Sequence, residues 1–168
     1  MNQSNSLHDQ SNSFGWISIA LHWLIAALVT TLWFIGKSID FQLPEDVLQQ
    51  RQLHITIGLI SWIFIAGRVC WRIKNKHPRA IGQTDTIHRL AKAAHYILLV
   101  LLTIMLVTGP ILAWAETSFP NLTTTLHLIH SATANLLAVL VLIHIAGALK
   151  HFMFHDDETM ARIFAPRR

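Results

Sequence analysis

Cysteine is nearly absent, with Cys70 alone among 168 residues. One thiol cannot close an intramolecular disulfide, and it cannot supply a zinc ribbon or an iron–sulfur cluster, both of which need several thiolates. Charge is scarce as well. Asp, Glu, Lys and Arg make up 13% of the chain, against about a quarter in an ordinary soluble domain. Four stretches carry no charge at all, residues 10–36, 52–67, 93–115 and 117–149, and each is close to or above the roughly 20 residues that span a bilayer. With 52% hydrophobic residues, neither disorder nor a soluble domain fits. No internal repeat or low-complexity run interrupts the pattern, and no other segment is long enough to bury a core of its own. The expected fold class is all-α, a transmembrane four-helix bundle.

A formal charge of +4 would suit a nucleic-acid binder only if the bases formed a patch, and their placement says otherwise. Arg68, Arg72, Lys74, Lys76, Arg79, Arg89 and Lys92 fall between the second and third apolar stretches. Lys150, Arg162, Arg167 and Arg168 follow the fourth, and only Lys37 and Arg51 lie elsewhere. The positive-inside rule then makes the second connection and the C-terminus cytoplasmic, and four spans bring the N-terminus to the same side. The expected location is a membrane crossed several times, with the lipid bilayer as partner and no nucleic acid. Residues 1–13 are polar, with no basic n-region and no A-x-A-like site following, so the first apolar stretch reads as a retained span.

The spans are expected at about 16–36, 53–71, 94–114 and 126–151, inside one membrane domain over 14–152 with cytoplasmic tails at 1–13 and 153–168. Trp16, Trp33 and Trp114 suit interfacial positions. Gly109-Pro110 should bend the third span, because proline removes a backbone donor.

Eleven histidines are many for so apolar a chain, since ionisable side chains at membrane depth are costly and usually face a partner inside the bundle. His22 lies six residues after Trp16 and His144 six before Lys150, so both sit about 9 Å inside the cytoplasmic edge. His54 and His130 share the outer level. His130 and His144 are 14 residues apart, which returns them to within about 40° of one face and about 21 Å apart along the axis. Two imidazoles on facing helices can hold a haem iron from both sides, and the pairs His22–His144 and His54–His130 fit that arrangement. Small residues a turn away, Ala26, Gly58, Ala134, Gly147 and Ala148, would leave room for a macrocycle, although small residues also mediate plain helix packing. With no C-x-x-C-H, such haems would be non-covalent, of b type. A proton relay or a metal site remains open from these features. A divalent-cation transporter would want carboxylates at membrane depth, and the four stretches have none.

The run from Ile17 through His22 to Trp23, the segment Leu53-His54 through Gly58 to Arg68, and the segment from His130 to His144 together resemble the bacterial cytochrome b561 family. That family is related to the cytochrome b subunits of nickel–iron hydrogenases. The resemblance covers nearly the whole chain. It implies four helices holding two b haems, with His22 and His144 as bis-His ligands of the inner haem iron and His54 and His130 of the outer one. It further implies single-electron transfer between a donor, which could be superoxide or a dehydrogenase, and membrane quinone. One bacterial branch of similar size oxidises superoxide and reduces ubiquinone. A haem-bearing anchor subunit that docks a dehydrogenase or hydrogenase is the alternative.

Arg68 lies 14 residues after His54, at the inner level, where it is expected either to meet a haem propionate or to snorkel to the headgroups. His127 is the rival of His130 and reads as an interfacial residue. His95 and His151 suit interfacial packing or an inner quinone pocket. His77, His88 and His155 read as solvated. No hydrolytic constellation is present.

Overall fold

The computed structural model describes residues 7–10, 13–75, 78, 85–115, 119–154 and 163–166, apart from the side chains of Pro120, His151 and Phe154. Lys76, His77, Arg79, Glu116, His155, Arg162, Arg167 and Arg168 lie outside the described residues. Four helices run α1 (Trp16–Ser38), α2 (Val47–Lys74), α3 (Asp85–Ala115) and α4 (Pro120–Phe154), with one 3-10 turn at Ile39–Phe41 after α1. There is no strand among the described residues.

The helices hold 23 to 35 residues, about 35–52 Å at 1.5 Å per residue, and all four are long and apolar enough to cross a membrane. They outrun the charge-free stretches because a helix satisfies its own backbone, which favours continuing it through the headgroups over fraying there. α3 is described from Asp85, ahead of the apolar run, with an acid in its first turn to suit the helix dipole. At the other end of its charge-free stretch α4 runs past Lys150 to Phe154, and it starts at Pro120, upstream of the span start expected near Leu126. Proline suits the first helical position, whose N–H has no helical partner.

The start of α1 is built by residues upstream of it. The Asp9 carboxylate accepts the Gly15 backbone N–H at 2.9 Å and the Ser18 hydroxyl at 2.8 Å. It also faces Arg72 of α2 at 3.5 Å. Negative charge at a helix N-terminus answers its unpaired N–H groups and its dipole. The chain crosses itself closely here, since a Cβ on Gly15 would stand 2.5 Å from the Leu7 carbonyl oxygen. Residues 7–10, expected as part of a polar tail, therefore close over the helix start. Ser18 itself is 1% exposed. Having donated to Asp9, its oxygen accepts the Trp71 indole N–H at 2.7 Å, which ties α1 to α2.

Each helix packs on the next in sequence, α1 on α2, α2 on α3 and α3 on α4, while α4 meets α1 only sparsely. The core is the cluster in which Ile25, Ile65, Val69, Leu101, Leu102 and Leu137 are buried together. Ile60, Ile63, Leu128 and Leu142 are exposed, as side chains facing lipid would be. Pro110 lies inside α3. It has no N–H for the carbonyl four residues back, Leu106, and the Trp62 indole N–H of α2 donates to that carbonyl instead, at 3.0 Å.

Candidate functional site: two facing histidine pairs

Three helices carry side chains at heptad spacing along one face. These are His54, Ser61 and Arg68 on α2, His130, Leu137 and His144 on α4, and His22, Val29 and Gly36 on α1. Seven residues nearly complete two turns, so each series stacks along the bundle. The result is two levels, a near level at the end where α1 starts and α4 finishes, and a far level at the other end.

At the near level, His22 of α1 faces His144 of α4, with ring centroids 6.4 Å apart and planes at 56°. At the far level, His54 of α2 faces His130 of α4, also at 6.4 Å, with planes at 90°. Both pairs bridge helices whose backbones do not pack closely, since α4 leans chiefly on α3. An imidazole nitrogen lies about 1.1 Å from the ring centre, so facing nitrogens in either pair are at least about 4 Å apart, beyond hydrogen-bond range. His95 of α3 differs in this respect. Its ring is 5.0 Å from that of His144, and its Nδ1 donates to the Ala91 carbonyl at 2.6 Å, as a carbonyl only accepts.

The far-level rings are held by α1 and α3. A Cβ on Gly36 of α1 would stand 3.0 Å from His54 Cε1, and one on Gly109 of α3 would stand 3.6 Å from His130 Cε1. His54 Nδ1 is buried. His130 Nδ1 lies 2.8 Å from Thr108 Oγ1. His127, one turn away from His130, is exposed. A Cβ on Gly58 would meet only Leu32 Cδ2, at 3.9 Å. Gly36, Gly109 and Thr108 escaped the sequence reading because their importance depends on how closely neighbouring helices approach. Gly109-Pro110 was visible only as a bend.

At the near level, Arg68 of α2 donates from Nη1 to the Ser18 carbonyl of α1 at 3.4 Å. Trp23, next to His22, donates its indole N–H to the Ile163 carbonyl at 2.9 Å and stacks near Phe164, so the C-terminal segment returns to this end. Among the described residues no three His, Cys, Asp or Glu side chains converge as a metal-ion cage would need.

Four helices long and apolar enough to cross a membrane, with histidines facing one another in pairs between them, describe a multi-pass membrane protein. The sequence pattern of prokaryotic cytochrome b561 matches residues 13–166, and the chain belongs to that family. It is 26% identical over 169 residues to cytochrome b561 homolog 2 of Escherichia coli strain K12, covering 89% of this chain and 90% of that one. It is thus a membrane haem b protein of a prokaryotic electron-transfer family.

Proposed function

We propose that the chain holds two b haems non-covalently, one between His22 and His144 and one between His54 and His130, and passes single electrons along the bundle between a donor and membrane quinone. The observation that carries this reading is the repeated spacing. Two pairs, one between α1 and α4 and one between α2 and α4, stand at the same 6.4 Å, which is too long for a direct hydrogen bond. An iron bonded to one nitrogen on each side, at about 2 Å per bond, sets facing nitrogens about 4 Å apart and ring centres about 6.3 Å apart. The glycines agree with this fit. Gly147, three residues past His144, and Gly67, beside Arg68, have nothing within 4 Å of the place a Cβ would take, so a flat macrocycle meets no side chain there.

A bound haem supplies the one-electron chemistry of its iron. The chain's residues do the rest. Four imidazoles ligate, and Arg68, anchored on the Ser18 carbonyl, offers the other donors of its guanidinium to a propionate at the near level. Leu137, Leu101, Leu102 and Ile65 fill the bundle between the levels and keep water out. The levels are 14 residues, about 21 Å, apart along α4. The placement of the bases supports a bacterial inner-membrane location with the near level and both termini cytoplasmic.

Quinone is favoured over superoxide as the small redox partner by charge. The outer connections carry Lys37 and Arg51 against Asp40, Glu45, Asp46 and Glu116, and an anionic substrate is steered by positive potential. The test is anaerobic addition of a short-chain ubiquinol to the oxidised haem protein in liposomes. Appearance of the reduced haem b bands is expected. Oxidised bands that persist, in protein that dithionite still reduces fully, would contradict the quinone link.

A further inference from the structure

We propose that Thr108 is the positioning residue of the far-level pair: its hydroxyl fixes the tautomer of His130 so that Nε2 is presented toward His54. The inference rests on the reading of His130 as a haem ligand and adds to it the group that selects which nitrogen does the ligating. It follows from counting hydrogens. A threonine hydroxyl carries one proton and can otherwise only accept. Thr108 Oγ1 is 2.8 Å from the Ile104 carbonyl oxygen of its own helix and 2.8 Å from His130 Nδ1. The carbonyl has no hydrogen to give, so the hydroxyl proton goes to Ile104. What Thr108 then offers His130 is a lone pair, and Nδ1 must bear the proton.

In a neutral imidazole a proton on Nδ1 leaves the lone pair on Nε2. The two nitrogens sit on different edges of the ring, so an Nδ1 tied to α3 turns Nε2 away from α3, toward the gap that His54 borders. Thr108 is 6% exposed, so no lipid or solvent group competes for the contact. Gly109, the next residue, also faces this ring, with its Cβ position 3.6 Å from His130 Cε1. A hydrogen bond from the distal N–H of a ligating histidine makes the imidazole a stronger donor to the metal, and removing such a partner typically weakens metal binding about 10–100-fold.

The experiment compares purified parent protein, Thr108→Val and Thr108→Ser by pyridine haemochrome content, haem retention against an apo-globin acceptor, and redox titration of each haem. The valine variant keeps the shape and loses the acceptor, whereas serine keeps the acceptor. Two haems in the parent are expected. In Thr108→Val one of them should be lost about 10–100-fold more readily and titrate at a higher potential, with the other haem unchanged. Thr108→Ser should restore both properties, which a purely steric role would not produce. A two-haem parent whose valine variant matches it in retention and potential would overturn the inference alone. A parent with one haem or none would overturn the ligand reading and the inference with it.

Discussion

Trp62 of α2 donates its indole N–H to the backbone carbonyl of Leu106 in α3, at 3.0 Å, and that acceptor is available because Pro110 has no N–H to offer it. The bend in one helix and the grip of its neighbour are thus one feature. In a bilayer no water stands by to satisfy the freed carbonyl, so a side chain from the next helix has to.

Trp62→Phe should therefore lower the thermal midpoint of the detergent-solubilised protein, by a stability loss of about 1 kcal/mol. Adding Pro110→Ala restores the helical N–H to Leu106, so the double variant should recover part of what Trp62→Phe loses. Equal additive losses in the double variant would show that the indole contributes only packing.

The fold-back at residues 7–15 makes a second testable unit. Asp9→Ala removes the acceptor of Gly15 N–H and Ser18 Oγ and the partner of Arg72. A loss of about 1–3 kcal/mol is expected, read as an earlier unfolding transition with increased proteolysis near the N-terminus. An unchanged transition would mean that this segment does not cap α1 in the membrane protein.

Glycine positions separate packing at the far level from packing elsewhere. Gly36→Ala places a methyl group 3.0 Å from the His54 ring and should reduce haem content at the far level while sparing the near level. Gly58→Ala meets only the end of Leu32 at 3.9 Å and should keep parental haem content. Haemochrome content and redox titration of the two variants would read the difference, and the reverse ranking would place the critical approach on α2 instead of α1.

What could be read from the sequence, and what could not, divides along a physical line. The bilayer forbids unpaired charge, so charge-free stretches marked all four helices. Helix rise is constant, so the depths of His22, His54, His130 and His144 followed from counting residues. Helix ends were less legible. Apolar character reports where lipid stops, whereas α3 and α4 extend beyond the expected spans, to include Asp85 and Pro120. Contacts between helices were not legible at all. That Gly36 rather than Gly58 lies against His54, that Thr108 meets His130, and that Asp9 reaches Ser18 depend on which helices adjoin and at what height. A single sequence records neither.

The central claim is that two histidine pairs hold two haems, and haem stoichiometry with ligand variants tests it most directly. Pyridine haemochrome content and reduced-minus-oxidised spectra would be recorded for the detergent-purified parent, His54→Ala and His144→Ala, each produced with haem supplied. Two b haems per parent chain are predicted. His54→Ala should lose the far-level haem and His144→Ala the near-level one, seen as loss of different spectral and redox components. A single haem per parent chain, or two haems that survive both substitutions, would contradict the account.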